Sequence, residues 1–334
     1  MSYISLSIPS TDGVHRIAAR VCLPAPETAV VGYFQVVHGM AEHIGRYDRF
    51  LSDLAAQGYI AFGHDHLGHG HTVSDGAELG HIADRNGWRL LADDVAAVRH
   101  HVMAAYPARV PYLLMGHSMG SFVVRTASVL HGPPDGLVVM GTGGPNPLSG
   151  TGLLMIRLVK ALHGGKYRSA FLKKLIFGSY DRGFSSGSSS GFSSGLSSGF
   201  SSGSSSGSVS GDGGDLWLSA DPANRDAYHA DPLCGFPFSA AAMEDLVRLQ
   251  RFANSRAFFS GMGGTPVLLV SGGDDPVGGH GRGVTAVYER LRKSGTPVEM
   301  KLYSGLRHEI LNEGAAYGEI TGDILDFAAR VCRK

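Results

Sequence analysis

Six stretches of the chain are nearly continuous apolar runs of strand length, and segments with helical spacing separate them. The helical segments include 46–57, 89–106 and 280–295. Runs that are apolar at every position are typical of strands buried on both faces of a parallel sheet. The alternation of strand and helix therefore predicts an α/β fold with a mostly parallel central sheet and helices on both faces. The six runs, rich in β-branched and aromatic residues, are 30–37, 58–65, 111–118, 136–143, 266–273 and 297–305.

A serine between two glycines follows one of these strands. The run at 111–118 leads into Gly116-His117-Ser118-Met119-Gly120 and then into the helical segment 121–130. Glycine two residues to each side of the serine allows a sharp strand-to-helix turn that exposes the hydroxyl. The pattern indicates a nucleophile elbow, although an ordinary serine in a glycine-containing turn has the same pattern.

An aspartate and a histidine supply the partners that such a serine needs. Asp275 follows the run at 266–273, and His308 follows the last run. Serine, acid and histidine occur in this chain order in the α/β-hydrolases. We expect His308 to accept the Ser118 proton during attack on an acyl carbon and to return it to the leaving alcohol, while Asp275 orients the ring.

Two backbone amides are candidates for the oxyanion hole. Met119 comes directly after the serine, and Met40 follows the strand at 30–37. An oxyanion requires N–H donors rather than particular side chains, so the methionine side chains are free to pack against a substrate.

Several motifs together resemble the monoacylglycerol lipase and lysophospholipase family of the α/β-hydrolase superfamily. They are His38-Gly39-Met40-Ala41-Glu42-His43, Arg46-Tyr47, HDHLGHG, GHSMGS, DPVG and RHEILNE, and the resemblance covers nearly the whole chain with one interruption. It implies an α/β-hydrolase fold with a helical cap, hydrolysis of a single-acyl glycerol ester or lysophospholipid, and no cofactor or metal. It places Ser118, Asp275 and His308 in the triad and the Met40 and Met119 amides in the oxyanion hole. The candidates for the substrate pocket are His38, Gly39, Glu42, Arg46 and His117.

Two features bear on the headgroup end of the pocket. Glu42 and Arg46 are four residues apart, so they form either a surface ion pair worth about 0.3–0.5 kcal/mol or a polar rim near the headgroup. We expect an ion pair that holds the oxyanion loop. Leu311 stands three residues after His308, where eukaryotic monoacylglycerol lipases tend to carry a second histidine, so the resemblance leaves the preference for glycerol open.

The segment HDHLGHGH at 64–71 contains four histidines in eight positions. Such a run is typical of a zinc or copper site, because neutral imidazole is the commonest metal ligand. The serine triad leaves a catalytic metal without a role, and in the family this segment is a loop. The resemblance implies that Asp65 and His66 fix that loop and that Gly68 and Gly70 permit its turns, so we expect structural histidines.

The alternation of strand and helix is interrupted between the fourth and fifth strands. We predict core residues 1–144, a cap insertion at 145–240 and core residues 241–334. Within the cap, 151–177 carries six Lys or Arg without an acidic residue, and its large apolar side chains include Leu153, Leu154, Ile156, Leu158, Leu162, Phe171, Leu172, Leu175 and Ile176. Such a basic amphipathic segment either contacts a membrane or micelle transiently or covers the pocket as two helices, and both roles are compatible.

A glycine and serine repeat at about 183–214 departs from the family. Three near-copies of an eight-residue unit begin at Phe184, Phe192 and Phe200. Glycine and serine cannot bury enough surface to offset their ordering entropy, so we predict a flexible surface loop. The periodic aromatic residues leave open a contact with lipid.

Composition limits the partners and the compartment. The chain has 29 Lys plus Arg and 29 Asp plus Glu, which argues against nucleic acid and favours a small-molecule acyl ester. The start of the sequence lacks the pattern of a signal peptide, and three scattered cysteines suit a reducing compartment. We therefore predict a cytoplasmic serine hydrolase, with peripheral membrane contact as an option. A general carboxylesterase, an acyltransferase and a non-catalytic binding protein on the same fold remain alternatives.

Overall fold

The computed structural model describes residues 3–73, 76–181, 184 and 215–333. Within these ranges eight strands form one sheet in the order β1-β2-β4-β3-β5-β6-β7-β8. All pairs among β3 to β8 are parallel, whereas β2 is antiparallel to both of its neighbours. The predicted mostly parallel sheet is confirmed. The strands are β1 (Ile4–Pro9), β2 (Arg16–Cys22), β3 (Gly32–Val37), β4 (Tyr59–His64), β5 (Tyr112–His117), β6 (Gly136–Met140), β7 (Val267–Gly272) and β8 (Val298–Tyr303).

The six apolar runs correspond to β3 to β8, and the two N-terminal strands are additional. β1 is an edge strand with mostly exposed side chains, and β2 alternates between buried residues such as Ile17 and partly exposed ones such as Arg20. A search for continuous apolar runs misses such strands because their signal is a period of two. The prediction therefore missed the antiparallel edge of the sheet.

Helices cover both faces of the sheet, as predicted. One face shares its core with α2, α3, α7, α8 and α9, of which α7 and α8 pack against α3, and the other face shares its core with α1 and α10. Neighbouring strand residues face opposite cores; Val36 contributes to the second core and Val37 to the first. The helices are α1 (Asp48–Ala56), α2 (Gly87–Ala105), α3 (Met119–Leu130), α4 (Ser149–His163), α5 (Ala170–Phe177), α6 (Pro222–Ala230), α7 (Ala240–Ala253), α8 (Arg256–Gly261), α9 (Arg282–Lys293) and α10 (Tyr317–Cys332).

Helices α4, α5 and α6 lie in the insertion between β6 and α7. α4 packs against α7, and Ile156 of α4 and Leu172 of α5 are buried. None of the helices in the described ranges is long and apolar enough to cross a bilayer. The division into core and cap stays a prediction. The repeat at 183–214, with Phe192 and Phe200, lies outside the described residues except for Phe184, whose ring is 4.4 Å from Arg307 Cζ.

Four histidines from the ends of β3 and β4 and from the loop that follows β4 pack together in the interior. His38, His64, His66 and His69 are fully buried, and their ring centroids are 4.3–5.9 Å apart in the His38–His66, His38–His69, His64–His66 and His66–His69 pairs. Burial lowers the pKa of His64 and of His69 to about 4 and holds the pKa values of His38 and His66 well below their ordinary value. Within the described part of the chain, neither ring nitrogen of His64 has a hydrogen-bond partner. These rings are therefore neutral packing groups at neutral pH.

Asp65 fixes the same loop, as the resemblance implied. Its carboxylate accepts hydrogen bonds from the backbone amides of Ile44 and His71, each at 2.8 Å. His66 Nε2 lies 3.2 Å from the His38 carbonyl oxygen. Gly68 and Gly70 have φ of 72° and 48°, the left-handed region that glycine tolerates. These contacts support a structural role for the segment, which stays a prediction.

The buried histidines predict a loss of stability in mild acid. Because the pKa values of His64 and His69 drop from 6.5 to about 4 on folding, the unfolded chain binds more protons between these pH values. The free energy of unfolding should then fall by about 1.4 kcal/mol per pH unit for each histidine as pH decreases through this window. Urea unfolding between pH 5 and 7 measures the slope. His64→Leu should reduce this slope by about 1.4 kcal/mol per pH unit, because one histidine fewer takes up a proton on unfolding.

His101→Leu on α2 is the matched control, because the His101 ring is exposed in the folded protein. An equal change in slope for His64→Leu and His101→Leu would contradict the prediction.

Candidate active site

Ser118 lies in a sharp turn between β5 and α3. Its backbone has φ 54° and ψ −120°, a conformation that non-glycine residues rarely adopt. A Cβ atom at Gly116 would collide with the Gly120 carbonyl, and one at Gly120 would collide with the carbonyls of Val37 and His38. The two glycines of the motif are thus required by close approach of backbone, and the turn presents the Ser118 hydroxyl at the carboxyl edge of the sheet.

His308 and Asp275 complete a hydrogen-bonded chain with Ser118. His308 Nε2 is 2.8 Å from Ser118 Oγ, and His308 Nδ1 is 2.9 Å from Asp275 Oδ2. Burial alone raises the pKa of Asp275, but the charge and hydrogen bond of His308 outweigh it and lower the pKa below its ordinary value. Asp275 is fully buried and also accepts from the Val277 amide at 2.8 Å, whereas Asp274 is exposed. The structure thus brings the three predicted residues together and separates the two adjacent aspartates.

The residues of the predicted oxyanion donors, Met40 and Met119, line the same cavity as Ser118. In the part of the chain that the structure describes, no hydrogen bond engages the backbone N–H of Met40 or of Met119. Two features fix the loop that carries Met40. The Gly39 amide donates to Glu42 Oε1 at 2.5 Å, and the backbone turns at Ala41, which has φ 53°. Neither amide has a partner among the described residues, and their role as oxyanion donors stays a prediction.

The predicted Glu42–Arg46 ion pair is present, but it is buried rather than on the surface. Arg46 Nη1 is 3.2 Å from Glu42 Oε2, and Arg46 also binds both carboxylate oxygens of Glu309, with Nη2 to Oε2 at 2.7 Å. The side chains of Arg46, Glu42 and Glu309 are 10%, 3% and 2% exposed. Two carboxylates around one guanidinium raise the pKa of Arg46, although burial opposes this. The network joins the oxyanion loop to the loop of the catalytic-histidine candidate.

His117 connects this network to His308. Its Nε2 faces the His308 carbonyl at 3.2 Å, and its Nδ1 faces Glu42 Oε1 at 3.2 Å and the Tyr47 hydroxyl at 2.9 Å. Because Tyr47 donates its own proton to Glu42 at 3.0 Å, both His117 nitrogens face acceptors. Burial lowers the pKa of His117, but the hydrogen bond and charge of Glu42 raise it overall. The geometry thus favours an imidazolium beside the nucleophile.

Glu309, Asn224 and Tyr228 belong to the site, although the sequence analysis did not single them out. Asn224 on α6 donates to Glu309 at 2.8 Å and accepts from Arg46 at 3.0 Å, and the Tyr228 hydroxyl donates to the Ala41 carbonyl at 3.1 Å. Glu309 follows His308 directly in the sequence, so its position beside the candidate catalytic histidine could have identified it. Asn224 and Tyr228 lie in the insertion far along the chain, where no motif marks them.

A cavity of about 1090 Å³ opens above Ser118. Its lining includes Met40, Met119 and His308, and cap residues such as Ile156 and Phe236. Of the substrate-pocket candidates, Glu42 and His117 line this cavity.

The other three candidates require correction. His38 is fully buried in the histidine cluster, and Gly39 lies beneath the Glu42 carboxylate. Arg46 lines a neighbouring cavity of about 200 Å³. Sequence proximity to Met40 suggested that these residues face the substrate, but the turn of the loop directs the His38 ring into the protein and the ion pairs hold Arg46 behind Glu42.

The segment HDHLGHGH does not contain the group of potential metal ligands found among the described residues. Among the described residues, the grouping found is His43, Asp231 and Cys234, whose ligand atoms lie within 4.8 Å of one another. His43 Nδ1 accepts from the Gly45 amide at 3.2 Å and His43 Nε2 lies 2.8 Å from Asp231, so hydrogen bonds already use both ring nitrogens. The absence of a required metal or cofactor stays a prediction.

Comparison with known proteins identifies the family. Residues 28–315 match the model of a hydrolase family described as serine aminopeptidase, S33. The chain belongs to this family. Curated proteins similar to the chain include monoacylglycerol lipases and a probable lysophospholipase, and the resemblance inferred from the sequence motifs is confirmed.

Three relatives illustrate the similarity. A monoglyceride lipase homolog of Monkeypox virus is 36% identical over 95 residues, 26% of this chain and 29% of that protein. A monoacylglycerol lipase of Mycolicibacterium smegmatis is 24% identical over 86% of this chain and 85% of its own. The solved structure of a thermostable carboxyl esterase from Bacillus coagulans in complex with glycerol has a TM-score of 0.85, 26% identity and 99% coverage of both chains. The chain thus belongs to a hydrolase family and is similar to esterases and lipases of the α/β-hydrolase type, and it spans less than a third of the viral relative.

The geometry predicts that the two adjacent aspartates of this hydrolase differ in importance. Asp275→Asn should lower kcat for ester hydrolysis by about 10⁴-fold, as in the serine-protease triad, because an amide holds the wrong histidine tautomer. Asp274→Asn should leave kcat nearly unchanged, because its exposed carboxylate does not reach His308. Steady-state kinetics of both variants on a soluble ester provide the measurement, and the reverse ranking would contradict the prediction.

Proposed function

We propose that the chain is a serine hydrolase that cleaves the ester bond of a monoacylglycerol or a lysophospholipid through an acyl-enzyme on Ser118. The observation that carries the proposal is the Ser118–His308–Asp275 hydrogen-bond chain at the floor of the large cavity. The relatives named monoacylglycerol lipase support the substrate class.

The proposed reaction follows from proton accounting. His308 Nε2 accepts the proton of Ser118 Oγ as that oxygen attacks the acyl carbon, and Asp275 stabilises the imidazolium that forms. The same proton passes to the departing alcohol oxygen, leaving an acyl ester on Ser118. Water then attacks this ester with His308 again as the base, which releases the fatty acid and restores the serine hydroxyl.

We assign the stabilisation of the tetrahedral oxygen to the amides of Met40 and Met119. Met40 and Met119 line the same cavity as Ser118, and neither backbone N–H has a hydrogen-bond partner within the described structure. Fixed N–H donors in a site shielded from water contribute more than donors in solution, because they require no reorganisation during the reaction.

The size and lining of the cavity favour a lipid over a small ester. Its volume of about 1090 Å³ lies slightly above the roughly 300–1,000 Å³ that is usual for small-molecule pockets. Apolar side chains including Phe122, Ile156, Phe236, Phe238 and Leu246 line it. Glu42, His117, Tyr228 and Glu309 form a polar end, which we assign to the alcohol portion of the substrate.

We propose that residues 145–240 form a cap between core residues 1–144 and 241–334, and that the cap contacts lipid surfaces. Leu154, Leu158 and Leu162 follow one another at intervals of four on α4 and are 68%, 53% and 70% exposed. Phe171 and Leu175 on α5 are half exposed, and Lys173 and Lys174 beside them are exposed. Exposed apolar residues next to cations suit the interface of an anionic membrane.

Ser118→Ala tests the proposed function directly. It should abolish ester hydrolysis and labelling by a fluorophosphonate probe while the melting temperature stays close to that of the wild type, because the change removes one hydroxyl. Monoacyl glycerols and glycerophosphocholines of increasing acyl length then define the substrate, and added alcohol acceptors separate hydrolysis from acyl transfer. Near-normal turnover by Ser118→Ala would refute the triad assignment, and hydrolysis confined to short acyl chains would indicate a general carboxylesterase.

The cap contact predicts a separate effect on membrane binding. Leu158→Ser combined with Leu162→Ser should weaken co-sedimentation with vesicles of anionic phospholipid by about tenfold or more, because two leucines no longer bury apolar surface. Hydrolysis of a soluble ester should be unchanged. Leu302→Ser on β8, where the leucine is 40% exposed, is the control. Equal vesicle binding by the cap variant and the control would contradict the contact.

A further inference from the structure

A buried arginine lies behind the nucleophile elbow. Arg125 on α3 is fully buried, and no carboxylate of the described residues forms an ion pair with it. Its guanidinium carbon is 4.5 Å from the centre of the Phe258 ring and 5.9 Å from that of Phe259. A buried charge without a counter-ion is costly, so its neighbours must stabilise it in another way.

A chain of hydroxyl groups connects this charge to Ser118. Arg125 Nη1 donates to Thr142 Oγ1 at 3.2 Å, and Thr142 Oγ1 is 2.8 Å from Ser121 Oγ. Ser121 Oγ is 2.5 Å from the carbonyl oxygen of Ser118. The Ser121 hydroxyl has one proton, and the carbonyl can only accept, so this proton goes to Ser118 and Thr142 donates to Ser121. All three hydrogen bonds thus run in one direction, from the cation to the carbonyl.

The carbonyl at the end of this chain belongs to the same peptide group as the Met119 N–H. A hydrogen bond to an amide oxygen polarises the amide and makes its N–H a stronger donor, which is the basis of cooperativity in hydrogen-bond chains. The charge on Arg125 therefore acts, through two hydroxyls and one peptide group, on a proposed donor of the oxyanion hole.

We infer that Arg125, Thr142 and Ser121 form a positioning relay that strengthens the Met119 N–H toward the developing oxyanion. The inference rests on the proposed serine-hydrolase function and deepens it. None of the three side chains touches the reacting atoms; they act through the Ser118–Met119 peptide.

The Arg125 guanidinium remains charged at neutral pH. Burial, together with the charge of Arg290, lowers the pKa of Arg125 to about 9, so the guanidinium is protonated at neutral pH. Its second nitrogen donates to the Ala253 carbonyl and, at 3.1 Å, to Asn254 Oδ1, which anchors the group between α3 and α7. These bonds fix Arg125 in place, while Thr142 alone connects it to the elbow.

The test interrupts the relay at Thr142, which leaves the arginine and the triad intact. Loss of a whole oxyanion donor lowers kcat by about 100- to 1000-fold, and a neighbouring bond in a chain adds about 10–30% to the strength of a hydrogen bond. Thr142→Val should therefore lower kcat about two- to eightfold with little change in KM. The affinity for an alkyl trifluoromethyl ketone, which forms an oxyanion adduct with the serine, should fall by the same factor. Thr142→Ser should restore both.

Thr126→Val is the matched control. Thr126 lies on α3, the helix that carries Ser121 and Arg125, and it is fully buried. Its hydroxyl donates to the Phe122 carbonyl at 2.8 Å and takes no part in the relay. The Thr126→Val variant should be less stable than the wild type, but its kcat and its affinity for the ketone should be unchanged. Thr142→Val combined with Ser121→Ala should be less damaging than the product of the single effects, because both interrupt one chain.

Two results would overturn the relay. One is unchanged kcat and ketone affinity in Thr142→Val; the other is an equal loss in Thr126→Val, which would indicate general loosening of α3. Failure of the proposed function is distinguishable, because wild-type protein would then neither hydrolyse the ester nor bind the ketone.

Discussion

The sharp turn at Ser118 is the constraint on which the rest of the site depends. A non-glycine residue at φ 54° is unfavourable, and it persists only where the surroundings fix it. Here Gly120 packs directly against the carbonyls of Val37 and His38, so the start of α3 is pressed onto the end of β3. That contact places the loop after β3, which carries Met40, next to the turn of Ser118 and Met119, and all three residues line one cavity. The strain at the turn and the proposed oxyanion hole therefore have one structural origin.

Buried polar groups fix the loops around this turn. Glu42, Arg46 and Glu309 form a charged network with almost no exposure to water, and removal of one member would leave the others uncompensated. The network joins the oxyanion loop to the loop that carries His308, and Asn224 extends it to helix α6. The position of His308 is thus coupled to the insertion that lines the cavity. This arrangement is more directional than an apolar contact, because each donor and acceptor has a defined partner.

Two buried basic side chains lie near the nucleophile. His117 is paired with Glu42, and Arg125 has aromatic faces and neutral oxygens around it instead of a carboxylate. Paired charges largely cancel at a distance, whereas an unpaired charge in a low-dielectric interior acts over several bonds. The difference explains why the two residues are assigned different roles: His117 stabilises the loops, and Arg125 polarises a peptide group.

Local patterns were enough to predict the parallel sheet, the helices on both faces and the three triad candidates, because buried strands, the glycines of the elbow and the chain order of serine, acid and histidine can all be recognised along the chain. The sequence also predicted the Glu42–Arg46 pair from its spacing of four. The tertiary structure decided what surrounds these residues. Glu309, Asn224, Tyr228 and the Arg125–Thr142–Ser121 chain meet from distant segments, and the burial of His38 depends on the direction of a loop. Such contacts leave no periodic signal, since hydrogen bonds between remote segments depend on packing rather than on neighbours in the chain.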